Sequence, residues 1–407
     1  MTSREGELPA VPGAGLPAFR RWVLVVQGLL VVGWAMYVLY LPGLLGRAGI
    51  DAKLAIFVLM LDQAIFAACD WAAGAYADRL ASRARRLGPI VTLVALVSSA
   101  CMIAMSWVAS RASPALLLAT IVAWTATSSA LRAPVFALLG RVSGIESKSG
   151  AVGYALVGLS VAGALTPMLT AALTKLDPAL PLGVGALSLA AAALFASRIE
   201  SRLPPAARDG DRPAPPGASG ALPFVMLVAA IGMQVHTAIH SRPSFLRAGG
   251  PDALAWMPSF WVAFALSLPP AVAIARGRSP LLRASIALAA GAFAIAVAQH
   301  ASTLAVLVLA QAATGAAWGI ATTVIVSAAL ALGGATRAGT AAGLVFAALA
   351  VAAFVRFGLV GAGLASGPAV AALPVATWLA SGALLAAVAR RVEPMLAIAK
   401  VRALRVA

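Results

Sequence analysis

Residues 53–89 read KLAIFVLMLDQAIFAACDWAAGAYADRLASRARRLGP, an apolar run that holds two carboxylates and leads into a burst of arginine. About 20 apolar residues are enough to cross a bilayer as a helix. Asp62 therefore falls near the middle of the crossing, and Asp70 lies one-quarter of the way from its exit. Because a charged side chain at mid-bilayer costs about 2.5 to 3.5 kcal/mol, we expect both carboxylates to be paired or to face water.

The rest of the chain is as apolar as this stretch. Its 407 residues are 62% hydrophobic and 11% charged, with a mean hydropathy of +0.96. This composition excludes an ordinary soluble protein and indicates an all-α, polytopic membrane protein. We predict twelve spans, at residues 22–44, 54–77, 90–109, 115–138, 150–172, 180–197, 222–241, 254–275, 281–299, 303–332, 340–365 and 369–389.

The formal charge of +17 is concentrated on one side of these spans. The N-terminus and every second connection carry 22 basic residues, whereas the opposite connections carry 6. Such a bias predicts that both termini are cytoplasmic, and it explains the charge without nucleic-acid binding. The Ala- and Arg-rich composition is typical of a high-GC bacterium, so we expect the protein in the bacterial inner (cytoplasmic) membrane.

A Pro-rich break divides the chain into two similar parts. It contains five prolines and several charges, a composition typical of a flexible linker. The basic residues of the C-terminal segment alternate with apolar ones, which fits either a helix on the anionic leaflet or an unstructured tail. The predicted divisions are a tail at 1–21, six spans within 22–199, a linker at 200–220, six spans within 221–389, and a tail at 390–407.

The segment that leaves the second span resembles the loop between helices 2 and 3 of major facilitator superfamily transporters. That family's pattern is Gly, three residues, Asp and a basic residue, which Gly74, Asp78 and Arg79 match. Arg83 continues the basic run, and Ala81 stands where the family has another Gly. The resemblance implies twelve helices in two six-helix halves, with Gly74, Asp78, Arg79 and Arg83 forming a gating loop. In that family the Asp of this motif contacts the start of helix 11, here residues 337–340, and holds the inner side closed.

Two further stretches are similar to the same family. Arg132 and Pro134, near the end of span 4, are similar to the matching segment of bacterial efflux members, which favours export over uptake. Gly158 and Gly163 only echo the span 5 signature of those exporters, because residues five apart do not share a helical face.

Four charges lie well inside the predicted spans, away from their ends, and their depths suggest two pairs. Asp62 and Arg356 each lie about nine residues from the outer ends of spans 2 and 11, which meet across the halves in the family. Asp70 and Arg132 each lie about eight residues from the cytoplasmic ends of spans 2 and 4. We therefore expect an Asp62–Arg356 contact, either structural or proton-linked, and an Asp70–Arg132 pair within the N-terminal half.

The resemblance places a substrate cavity among spans 1, 4, 7 and 10. Their polar and aromatic residues are the candidates for its wall, although interfacial belts and helix packing explain such residues too. His236 and His240 share a helical face, which fits a metal, a proton or substrate contact, or a plain outer vestibule. The candidates are Gln27, Trp34, Tyr37, Trp124, Thr125, Ser128, Gln234, His236, His240, Gln311, Trp318 and Thr322.

These features together predict a secondary transporter rather than an enzyme. It would move a small molecule by alternating access within the lipid bilayer as a monomer, driven by protons, since the chain holds no P-loop for ATP. We expect no cofactor and no metal. A polytopic membrane enzyme and a transporter-like protein that binds a ligand or partner without transport remain as alternatives.

Overall fold

The computed structural model describes residues 15–82, 86–111, 113–140, 144–203, 216–334 and 336–406. Twelve helical spans, numbered here in chain order, are long and apolar enough to cross a membrane, which confirms the predicted number. They are Leu16–Arg47, Ala52–Ala81, Gly88–Arg111, Pro114–Leu139, Lys148–Leu173, Ala179–Glu200, Gly220–Gly249, Pro251–Arg276, Pro280–His300, Leu304–Gly333, Ala338–Gly361 and Pro368–Ala397. Because the number of spans is even, the start of span 1 and the end of span 12 lie on one side of the bundle, called here the terminal side; the other is the far side.

Two predicted segments lie partly outside the described residues. Most of the Pro-rich break belongs to the undescribed residues 204–215, and the chain is helical again from Pro216 onward. The backbone of the C-terminal segment continues the last helix, Pro368–Val406, so this segment is helical rather than extended up to Val406.

The same packing device recurs in both six-span units. The indole N–H of Trp22 in span 1 donates to the carbonyl of Ala192 in span 6 at 2.9 Å. In the second unit the indole N–H of Trp378 in span 12 donates to the carbonyl of Ala229 in span 7, also at 2.9 Å. Each unit therefore joins its first and last spans through a buried tryptophan, which satisfies the polar atom of an otherwise apolar side chain.

A carboxylate on the last span also caps the third span in each unit. Glu200 accepts the backbone N–H groups of Leu87 and Gly88 at 2.9 and 2.6 Å. In the second unit Glu393 accepts the N–H of Leu282 at 3.2 Å. Since the first N–H groups of a helix have no partner within the helix, the carboxylates satisfy them and favour the positive end of the helix dipole.

The two units pack most tightly where spans 2 and 11 cross. A Cβ added to Gly74 would collide with the carbonyl oxygen of Gly339, and one added to Gly343 would collide with that of Asp70. These positions need glycine because the two backbones approach too closely for any side chain.

Spans 4 and 7 each depart from a regular α-helix near mid-depth. Span 4 is broken at Leu131, between helices Pro114–Ala130 and Arg132–Gly140, because the ring of Pro134 is incompatible with the carbonyl four residues earlier. Span 7 contains a π-helical turn at His236–His240. Such turns are rare and frequently mark functional sites.

Candidate functional site

A cavity of about 720 Å³ lies between the two six-span units. Most of its wall comes from the middle and far-side portions of spans 1, 2, 4, 5, 7, 8, 10 and 11. Its size is within the range of roughly 300 to 1,000 Å³ that is usual for pockets that hold small organic molecules.

Aromatic rings form the wall contributed by spans 1, 2 and 4. Trp34 stacks on Trp124, with ring centroids 6.2 Å apart and planes within 5° of parallel. Phe66 closes the other side of Trp34 at 5.0 Å. Interlocked rings of this kind are rigid and apolar, which suits them to hold a flat or hydrophobic ligand.

A second aromatic wall faces the first from the other unit. Trp261 lies between Phe260 and Phe264 in span 8, at centroid distances of 5.1 and 5.9 Å. A Cβ added to Gly163 of span 5 would lie 2.7 Å from the Trp261 ring, so this glycine makes room for the indole. Trp318 of span 10 stacks against Trp378 at 5.9 Å and completes the wall.

The predicted cavity residues divide into two groups. Those that line the cavity are Trp34, Trp124, Ser128, Gln234, Gln311, Trp318 and Thr322. Those that do not line it are Gln27, Tyr37, Thr125, His236 and His240. Tyr37 and Thr125 are instead turned towards Asp62 and fully buried, and Gln27 is buried at the packed surface of span 1.

The two histidines of the π-helical turn have different surroundings. His236 is buried, with Nε2 3.0 Å from the Oε1 atom of Gln311 in span 10, and its Nδ1 atom has no described hydrogen-bond partner. His240 is half-buried, and its Nδ1 atom also has no described partner. No group of three or more His, Cys, Asp or Glu side chains that could hold a metal occurs in the described part of the chain. His236 thus contacts the cavity wall through Gln311, which lines the cavity.

Asp62 lies directly behind the first aromatic wall. The hydroxyls of Tyr37 and Thr125 donate to its two oxygens at 2.7 Å each, and the carboxyl group is completely buried. Both partners are neutral and come from the same six-span unit as Asp62. The carboxyl group is therefore satisfied by hydrogen bonds without a compensating positive charge.

Asp70, two helical turns further along span 2, has an ionic partner. The Arg132 guanidinium donates to its Oδ2 atom at 2.8 Å, and the Ser129 hydroxyl donates to its Oδ1 atom at 2.8 Å. Arg132 reaches this position because it begins the second helical segment of span 4. Its guanidinium also lies over the ring of Phe66 at 4.7 Å. The expected pair within the N-terminal unit is thus present.

The expected contact between Asp62 and Arg356 is wrong for this conformation. Both Asp62 oxygens are occupied by hydroxyl donors, and the Arg356 guanidinium instead stacks on the ring of Phe357, 3.8 Å from its centroid. Among the described residues no carboxylate lies within 4.0 Å of Arg356. Arg356 faces the cavity. Equal depth in the membrane did not fix which way each side chain points around its helix.

On the terminal side, Asp78 joins the two units. Its carboxylate accepts the backbone N–H groups of Gly339 and Thr340 at 2.8 and 2.7 Å, and the Thr340 hydroxyl at 2.7 Å. These groups belong to the first turn of span 11, where the helix dipole favours a negative charge. The expected contact of Asp78 with residues 337–340 is therefore present, with Gly74 one turn away. Arg79 is exposed to solvent, and Arg83 lies outside the described residues.

Spans 5 and 8 meet on the same side through a different contact. The Arg276 guanidinium at the end of span 8 donates to the Ser149 hydroxyl at the start of span 5 at 3.2 Å. The terminal side is therefore bridged at two places between the units, below the cavity.

Sequence reasoning missed most of the aromatic residues that spans 2, 8 and 11 contribute to the cavity. They are Phe66, Phe260, Trp261, Phe264, Phe346 and Phe357. The spacing of Phe260, Trp261 and Phe264 places them on one helical face, a signal that could have revealed this wall. Attention to spans 1, 4, 7 and 10 alone left it out.

No protein-family model and no curated protein sequence matches this chain. Its fold is similar to the crystal structure of the human organic anion transporter MFSD10 (TETRAN), with a TM-score of 0.64 and 15% identity over 93% of this chain and all of that one. It is also similar to a bacterial homologue of the iron transporter ferroportin in an outward-facing state with soaked iron, with a TM-score of 0.68 and 12% identity over 91% and 98% of the two chains. The chain thus shares the fold of these two structures and has twelve candidate membrane helices in its described part.

Proposed function

We propose that this protein is a proton-coupled secondary transporter that moves a small molecule across the bacterial inner membrane by alternating access. The observation that carries the proposal is the cavity between the two units, bridged on the terminal side by Asp78 and by Arg276. A cavity at the interface of two similar units is what a rocking mechanism requires. The transporter fold supports the same conclusion.

In this proposal the terminal side faces the cytoplasm and is closed in the present conformation. Opening it requires the Asp78 carboxylate to leave the first turn of span 11 and Arg276 to leave Ser149. The cavity then passes from one side of the membrane to the other without a channel being open throughout. The protein works as a monomer, and export is the favoured direction because of the efflux-like residues Arg132 and Pro134.

Asp62 is the proposed proton carrier. It is buried next to the cavity wall, and its only described partners are hydroxyls, which can either donate or accept a hydrogen bond. Adding a proton would therefore leave the hydrogen bonds in place while removing a charge from a dry site. Asp70 does not suit this role, because its charge is matched by Arg132.

The experiment is flux into liposomes that contain the purified full chain. Three probes share a biphenyl body and differ in charge. They are the anion biphenyl-4-sulfonate, the neutral biphenyl-4-methanol and the cation (biphenyl-4-yl)trimethylammonium. We expect flux of at least one charged probe to be driven by a pH gradient, and Asp62→Asn to abolish this dependence on pH while probe binding persists. The matched control is Asp177→Asn, which removes an exposed carboxylate on the far side. Binding without flux for all three probes, or an unchanged pH dependence in Asp62→Asn, would contradict the proposal; the first result would favour a ligand-binding protein.

A further inference from the structure

The charges that face the cavity are all positive. Its lining contains two arginines, Arg132 and Arg356, and among the described residues that line it there is no Asp or Glu. The remaining polar groups of the wall are neutral amides and hydroxyls, such as those of Gln234, Gln311 and Thr322. The electrostatic potential of an enclosed, low-dielectric space is set by such charges, so the cavity favours negatively charged solutes.

The two arginines differ in what already compensates them. Arg132 is held by Asp70 at 2.8 Å and lies between the rings of Phe66 and Phe346. Arg356 has only the ring of Phe357 beneath it, and its Nε atom is inaccessible to solvent with no hydrogen-bond acceptor in the described structure. A guanidinium presents five donors in a planar fork that fits a carboxylate, sulfonate or phosphate. The Arg356 guanidinium is therefore a cation at the edge of the cavity with hydrogen-bond donors available to a ligand.

The rest of the wall suits an apolar body. The indoles of Trp34 and Trp124 stand on one side of the cavity, and those of Trp261 and Trp318 stand on the other. Flat or hydrophobic groups bind to such surfaces through area and ring stacking, while a few polar groups fix their orientation. A bare inorganic anion would make no apolar contact with these walls. A cation would meet two guanidinium groups and no carboxylate in the described lining, since Asp62 lies behind the wall and its two oxygens are occupied by hydroxyls.

We infer that the substrate is an amphipathic organic anion, whose charged group binds Arg356 and whose apolar body lies between the two aromatic walls. This inference rests on the proposed transport function, since it names the class of molecule that the same cavity carries. It assigns Arg356 as the residue that selects for negative charge.

The test is equilibrium dialysis of the purified full chain in detergent against the same three biphenyl probes. We expect the sulfonate to bind more tightly than the alcohol, and the trimethylammonium probe to bind most weakly. Arg356→Gln should weaken sulfonate binding by about tenfold or more and change alcohol binding by less than about twofold, since a hydrogen bond to a charged group is worth about 1.5 to 3 kcal/mol. Arg356→Lys, which keeps the charge but loses the planar fork, should bind the sulfonate more tightly than Arg356→Gln and more weakly than the parent.

Arg47→Gln is the matched control, because it removes an exposed arginine that is paired with Asp177 outside the cavity. It should leave all three affinities unchanged, and size-exclusion profiles should show that each variant is folded. Equal binding of the three probes, absence of sulfonate binding, or an Arg356→Gln variant that binds the sulfonate as well as the parent does would overturn the inference. Flux of only the trimethylammonium probe would overturn it while leaving transport intact, whereas Arg356-dependent sulfonate binding without flux would count against transport itself.

Discussion

Asp62 and Asp70 lie eight residues apart on the same span, and both are completely buried, yet they have opposite kinds of partner. Asp70 is matched by an arginine, whereas Asp62 is held by a tyrosine and a threonine. An ion pair makes both charges depend on each other, so neither can change without loss of stability. A carboxyl group among hydroxyls has no such dependence. The difference shows how one helix can carry a carboxylate whose charge is fixed by an ion pair and, eight residues away, a carboxyl group whose charge is not fixed in this way.

Span 4 creates this difference through its own residue order. Thr125 and Ser129 are four residues apart, so they lie on one face and meet Asp62 and Asp70 in turn. Of these two residues, only Ser129 is followed closely by an arginine. The break at Leu131 lets this residue, Arg132, turn back towards Asp70. The arginine three residues after Ser129 therefore gives Asp70, and not Asp62, an ionic partner.

The largest expected effect comes from removing the cation. Arg132→Met should lower the free energy of unfolding by about 3 to 5 kcal/mol, because Asp70 would remain buried with a charge that only Ser129 partly satisfies. Unfolding in mixed SDS micelles, followed by tryptophan fluorescence, measures this loss.

The double variant Asp70→Asn with Arg132→Met is the control for that experiment. It removes both charges, so much of the lost stability should return. If the double variant is as unstable as Arg132→Met alone, packing of the arginine on Phe66 rather than the ion pair is the main contribution.

A smaller effect is expected at Asp62. Tyr37→Phe and Thr125→Val each remove one hydroxyl from a buried carboxyl group and should lower the free energy of unfolding by about 1 to 3 kcal/mol. The same changes made in an Asp62→Leu background should have less effect, because the partner is then absent. A double-mutant cycle measures this coupling, and a coupling of zero would show that the hydroxyls contribute only through packing.

The smallest effect is expected at an exposed pair. Asp177 contacts Arg47 at 3.0 Å on the far side, and the backbone N–H of Ala179 together with that guanidinium lowers the pKa of Asp177. A lowered pKa means that any stabilisation is present at neutral pH and is lost as the pH falls through the folded-state value. Because both side chains are largely exposed, Asp177→Asn should leave the melting temperature at pH 7 unchanged. A clear decrease would show that this pair holds the end of span 1 against the connection between spans 5 and 6.

The sequence was enough to predict the twelve spans, since each is a long apolar run and hydropathy alone identifies it. It also predicted the Asp70–Arg132 pair and the contact of Asp78 with the start of span 11. The first succeeded because Asp70 and Arg132 lie at the same depth on spans of one unit, and the second because the resemblance to the family placed the motif Asp at the start of helix 11.

The Asp62–Arg356 prediction failed because depth along a helix says nothing of direction around it. Hydroxyls on spans 1 and 4 were nearer to Asp62, and they are not conspicuous in a search for opposite charges. The aromatic wall of span 8 was missed for a related reason. Phe260, Trp261 and Phe264 are ordinary apolar residues in a membrane span until the packing of the two units shows which face borders the cavity.

The contact of Asp78 with span 11 is made largely to the main chain. Every residue except proline supplies a backbone N–H, so almost any substitution at Thr340 would lose the hydroxyl bond and keep the amide bond. An ion pair, by contrast, needs two side chains of opposite charge at two particular positions. The Asp78 contact thus depends on one acidic residue and on glycines such as Gly74 and Gly339, which let the two backbones come close, whereas the side chain at position 340 can vary.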